Sequence, residues 1–101
     1  VSLMDLHVAA RDYLAEKGCA KYFPHLVGHY VGLSVHDSGS ARAPLEPGMV
    51  ITIEPGIYIE DRRIGIRIED TYIITKDGCE RISSSAPREI AEIERLMSGS
   101  N

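Results

Sequence analysis

The chain has 101 residues, enough for one compact domain and too few for two. Hydrophobic residues make up 44% and charged residues 26%, which excludes a disordered or collagen-like chain. A net charge of −4 without a basic cluster argues against nucleic acid or an anionic membrane surface as partner. No apolar run approaches the ~20 residues of a membrane span. No signal peptide is visible, but the first residues already read as helix interior, so this absence says little about the parent protein; a cytoplasmic location is the expectation. Cys19 and Cys79 lack any metal-binding spacing and are expected as buried or half-buried thiols.

In chain order, residues 1–17 predict a helix. Leu3, Leu6, Ala10, Tyr13 and Leu14 share one face at helical spacing and are expected to pack on a core. Ser2 can cap the start, with Asp5 in the capping-box position, and Gly18 suits the left-handed residue that ends a helix. Residues 22–40 show little periodicity and interleave His25, His29 and His36 with glycines. Gly39, Pro44, Pro47 and Gly48 then punctuate a loop. Residues 50–58 and 64–75, rich in Ile, Val, Thr and Tyr, read as two strands. Asp77-Gly78 is a type I′ hairpin signal leading to a short strand near 80–82. Pro87 opens a last helix whose buried stripe would be Ile90, Ile93 and Met97, with residues 98–101 frayed. Helix, loop, antiparallel strands and helix make an α+β domain.

Three stretches could carry chemistry. In the first, running from His25 to Asp37, three histidines fall within twelve positions, with Gly28 and Gly32 flanking His29. Imidazole binds divalent metals and carries protons near neutral pH, and glycine lets backbone approach a site. In the second, Ile51-Thr52-Ile53-Glu54-Pro55-Gly56, strand alternation sends Thr52 and Glu54 to one face. A solvated edge-strand glutamate would look the same. In the third, Gly65-Ile66-Arg67-Ile68-Glu69-Asp70, the residues Arg67, Glu69 and Thr71 share a face. By spacing alone, that face reads more readily as the solvated side of an antiparallel sheet.

These stretches occur in an order that resembles the three C-terminal motifs of the pita-bread metallopeptidases, the superfamily of methionine aminopeptidase, prolidase and Xaa-Pro aminopeptidase. The likeness runs from about Leu3 to Met97. His25 four residues before His29, Val35-His36-Asp37, and Ala86-Pro87-Arg88-Glu89-Ile90 resemble the Xaa-Pro aminopeptidase and prolidase branch, with the aminopeptidase favoured. Creatinase-like hydrolases share the fold.

The resemblance implies the C-terminal half of a pita-bread fold, an antiparallel sheet flanked by helices. It implies that His29 and Glu54 bind one metal and that Glu69 bridges two. It places His25 and His36 at the substrate, with His36 near the scissile carbonyl. Glu54 would also shuttle a proton, and Arg67 would steady a metal-bound carboxylate from behind. The family's two aspartate ligands have no counterpart, because Asp5 and Asp12 lie on the first helix and Asp37 and Asp70 belong to the motifs already named. Residues 1–101 are therefore expected to be the C-terminal portion of a catalytic domain, holding three of five ligands.

The full-length enzyme would use two divalent ions, with Mn²⁺ favoured over Zn²⁺, Co²⁺ or Fe²⁺ for an oxygen and imidazole donor set. This chain alone would hold at most one ion, weakly, and would be inactive. The expected substrate is a peptide or dipeptide with proline in second position. Neither nucleic acid nor membrane is an expected partner. A homo-oligomer is expected, paired in this chain through an exposed strand edge. Two readings compete: a prolidase, and a catalytically silent binding module that keeps the fold.

Overall fold

A computed structural model describes residues 1–32 and 39–99. The first helix, α1, spans Leu3–Glu16. Its capping box forms as expected: the Asp5 N–H donates to the Ser2 hydroxyl at 3.2 Å, and the Ser2 N–H donates to Asp5 Oδ2 at 2.8 Å. Gly18 ends the helix region at φ +74°. Leu3 is buried and Leu6, Ala10 and Leu14 are half-buried, but Tyr13 is exposed and leaves the expected core face. A 3₁₀ turn at Ala20–Tyr22 leads to the buried Phe23.

The strands are β1 (Val50–Ile53), β2 (Gly56–Ile59), β3 (Ile64–Arg67), β4 (Asp70–Thr75) and β5 (Gly78–Arg81). They form two antiparallel sheets, one in the order β1-β4-β5 and the other β2-β3. Each expected long strand is thus two short ones. The two sheets nevertheless keep one register. Ile53 pairs with Asp70 before the break, and Gly56 pairs with Arg67 after it. Carried across the gap, that register sets Glu54 opposite Glu69 and Pro55 opposite Ile68. Pro55 has no N–H to give the ladder, so the ladder opens where it stands.

Residues 27–31 line the other edge of β1. Glu54 N–H donates to Val27 O at 2.6 Å, Thr52 N–H to His29 O at 2.9 Å, and Val31 N–H to Val50 O at 3.0 Å. This pairing depends on Gly28, where a Cβ would lie 1.8 Å from the Thr52 carbonyl oxygen.

Three further expectations give way. Thr75 pairs with Gly78, so the hairpin turn is Lys76-Asp77. Among the described residues, positive φ occurs only at Gly18, Gly48, Gly99 and Arg63, so no type I′ turn forms there. The second helix, α2, spans Ile90–Met97, beginning three residues after Pro87. Its apolar stripe is exposed rather than buried, with Ile90 76%, Ile93 40% and Met97 80% accessible. Cys79 is exposed and Cys19 half-buried. Among the described residues, no helix is long and apolar enough to cross a membrane.

Candidate metal centre

Cross-strand partners share a face of a sheet. Thr52, paired with Thr71, and Gly56, paired with Arg67, therefore mark one face, and Glu54 and Glu69 lie between them at the break. The segment along β1 brings His29 to the same place. One ligand atom from each of His29, Glu54 and Glu69 can be chosen so that all lie within 4.8 Å of one another. The backbone N–H of His29 donates to Thr52 Oγ1 at 3.1 Å, which ties the histidine to the strand that carries Glu54.

The electrostatics of this trio are unsettled without a cation. His29 Nδ1 lies 3.0 Å from Tyr30 O; a carbonyl only accepts, so Nδ1 carries a proton. Nε2 lies 3.3 Å from Glu54 Oε2, an ion pair when the ring is charged and two facing lone pairs when it is neutral. That oxygen is buried and accepts no hydrogen bond, a rare state for a carboxylate. Glu54 and Glu69 also compete for one proton. Sharing a hydrogen bond with Glu54 pushes Glu69 above the ordinary carboxylate range, with burial adding to it. Burial would raise Glu54 too, but the Glu69 hydrogen bond, the Thr52 hydroxyl and the charges of His29 and Arg67 hold it below that range. Two carboxylates and an imidazole that converge within 4.8 Å, one carboxylate oxygen buried, fit a divalent cation.

The other expected residues are placed differently. Arg67 acts on both glutamates through its charge, and among the described residues it makes no ion pair within 4.0 Å. His25 is half-buried, with Nδ1 2.9 Å from Leu26 O and Nε2 2.8 Å from the Tyr58 hydroxyl, its ring edge-on to Phe23. Gly56 permits this, since a Cβ there would stand 2.4 Å from the Tyr58 hydroxyl. His36 lies outside the described residues. The sequence reading missed Tyr58, although period-two alternation from Glu54 through Gly56 leads to it. It also gave Asp70 no role, and Asp70 is buried.

The model of metallopeptidase family M24 matches residues 1–76. The chain belongs to metallopeptidase family M24. Use of divalent metal follows from that membership, and the α+β fold is that of the pita-bread M24 proteins. Xaa-Pro aminopeptidase 3 of Homo sapiens is 45% identical over 95 residues, covering 83% of this chain and 19% of its own length. Xaa-Pro dipeptidase of Pyrococcus horikoshii is 46% identical over 89 residues, covering 84% and 25%. A solved Bacillus anthracis structure, described as a candidate aminopeptidase P, superposes with a TM-score of 0.89 at 43% identity, covering 100% of this chain and 27% of that one. The M24 chain described here thus spans between 19% and 27% of the length of these three proteins.

Proposed function

We propose that this chain supplies His29, Glu54 and Glu69 to the metal centre of an exopeptidase that releases an N-terminal residue ahead of proline. The convergence of these three side chains around a buried carboxylate oxygen with no hydrogen bond carries the reading. Two aspartates from outside residues 1–101 would complete a dinuclear site. Mn²⁺ suits the oxygen and imidazole donors best.

When bound, the metal supplies Lewis acidity toward the scissile carbonyl and lowers the pKa of water. The chain's own groups do the rest. Glu54, held ionised, is the base that can carry a proton to the leaving nitrogen. Glu69 takes the proton of the carboxylate pair until a cation displaces it. His25, fixed by Tyr58 and Leu26, presents a ring wall to the substrate beside Phe23. His36 acts on the substrate carbonyl. The aminopeptidase reading draws support from the human and Bacillus anthracis relatives. The dipeptidase reading is second, supported by the 46% identical archaeal Xaa-Pro dipeptidase.

The test is calorimetric titration of the 101-residue chain with Mn²⁺, beside an assay on an Xaa-Pro peptide. One weakly held ion, lost in Glu69→Gln and Glu54→Gln, and no turnover are expected. Two tightly held ions, or a titration unchanged by either substitution, would overturn the assignment. In the full-length enzyme His36→Ala should lower kcat about 10²–10⁴-fold with metal content intact; loss of metal instead would make His36 a ligand.

A further inference from the structure

Among the described residues Asp70 is the one ionisable residue that is buried, and the mechanism leaves it unused. It is 5% exposed and sits at the first position of β4, bonded through the peptide to Glu69. Its Cα partner is Ile53, the residue before Glu54. The Ile53–Asp70 pair is therefore the last rung of the ladder before the break, and both glutamates stand just past it.

Paired residues share a face, and so do residues two apart on a strand. Asp70 lies with Ile53 and Tyr72, on the reverse of the sheet from Thr52 and Thr71. There its carboxylate gathers the chain that follows β5. Oδ1 accepts from the Ser83 hydroxyl at 2.8 Å, and Oδ2 accepts from the Arg88 guanidinium, with Arg81 3.9 Å away. Ser83 Oγ in turn accepts from Thr71 N–H at 3.0 Å, and Ile82 N–H donates to Thr71 O at 2.9 Å. Two arginines and a hydroxyl compensate the buried anion, and removing one partner of such a cluster leaves the rest mismatched.

We propose that Asp70 is a positioning residue for the metal centre. From behind the sheet it clamps residues 83–88 against the Glu69 junction and so sets where Glu69 stands relative to Glu54. The inference rests on the proposed three-ligand reading. Glu54 N–H donates to Val27 O, while Glu69 stands in the two-residue gap between Arg67, paired with Gly56, and Asp70, paired with Ile53. The clamp adds a side-chain anchor to the one backbone rung, Ile53–Asp70, that borders Glu69. Groups behind a ligand that fix its orientation typically change metal affinity 10–100-fold when removed.

The experiment compares the wild-type chain with Asp70→Asn, Arg88→Ala and Arg88→Lys, and with Leu3→Ala as a core control remote from the clamp. Each is read by Mn²⁺ titration, by thermal unfolding, and by amide hydrogen exchange at Glu54, Glu69 and Thr71 without metal. Asp70→Asn and Arg88→Ala should each weaken Mn²⁺ binding about tenfold and speed exchange at the three amides. Arg88→Lys should recover part of both effects. Leu3→Ala should lower the unfolding temperature at least as far and move neither. Unchanged affinity and exchange in the clamp variants, or equal changes in Leu3→Ala, would reduce Asp70 to a residue of general stability. If Asp70→Asn does not fold, the two Arg88 variants make the same comparison. If wild type takes up no Mn²⁺, the three-ligand reading fails, and the exchange rates alone decide the role of Asp70.

Discussion

Strands β1 and β3 are made of the same material and meet opposite fates. Val50-Ile51-Thr52-Ile53 and Ile64-Gly65-Ile66-Arg67 both place isoleucine at alternate positions. Ile51 is 1% exposed, whereas Ile66 is 61% exposed and Ile64 and Ile68 are each 46% exposed. The difference lies in neighbours. β1 has β4 on one edge and residues 27–31 on the other, while among the described residues β3 has β2 alone. The uncovered isoleucines line a shallow apolar hollow of about 280 Å³ with Leu14, Pro55, Ile57 and Ile59. Alternation tells which way a side chain points, and only a partner from distant sequence decides whether that direction is dry. The carboxylate pair sits where the covered arm of the ladder passes into the uncovered one. Its ligand geometry is therefore inherited from the covered side, through Val27, His29 and Thr52.

The sharpest way to break this account is to remove the cover from β1. Gly28→Ala would drive a methyl to 1.8 Å from the Thr52 carbonyl oxygen, against backbone rather than a mobile side chain. Overpacking usually costs about 1–3 kcal/mol, and occasionally more where nothing can yield. A loss of at least about 3 kcal/mol in urea unfolding is expected, together with loss of Mn²⁺ binding as His29 leaves its place. A stable Gly28→Ala chain that still binds metal would mean that residues 27–31 do not hold the site.

A second measurement sets the two strands side by side. Ile51→Ala should cost about 2–5 kcal/mol, the range for a fully buried isoleucine. Ile66→Ala should stay within about 0.5 kcal/mol of wild type, as exposed substitutions do. Equal costs would show that β3 is covered in solution, with self-association through its open edge as the first thing to measure.

The same contrast explains how far the sequence could be read. Local devices were legible: the Ser2 and Asp5 cap, the left-handed Gly18, and the parity that puts Glu54 and Glu69 on one face. The motifs also named His29 correctly as their companion in space. Long-range facts were not legible. Gly28 interrupts the alternation of residues 27–31, so that segment's pairing with β1 leaves no periodic trace. The break in both long strands follows from Pro55 only once Ile68 and Glu69 are known to lie opposite. The stripe Ile90, Ile93 and Met97 predicted a helix but not a surface to bury it. The Asp70 clamp joins residues 70, 83 and 88, and no spacing rule connects them.

The smallest expected effect belongs to a feature that needs no partner from distant sequence. The capping box of α1 is closed within four residues, so it should act alike whether or not β1 is covered. Ser2→Ala should cost about 1 kcal/mol, as for other helix caps. Asp5 gives the cap a pH dependence whose sign is fixed. The Ser2 backbone N–H, and then the Ser2 hydroxyl, hold the Asp5 carboxyl below the ordinary aspartate range, with slight burial opposing them. A carboxyl whose folded value is the lower one binds its proton more readily when unfolded. Its contribution is therefore complete above the unfolded value and disappears as pH falls through the folded one. The unfolding temperature of Asp5→Asn should lie below that of wild type at neutral pH, and the gap should close only in acid beneath the ordinary aspartate range. A gap that persists there would assign the effect to hydrogen-bond geometry, which asparagine fails to copy, rather than to charge at the helix start.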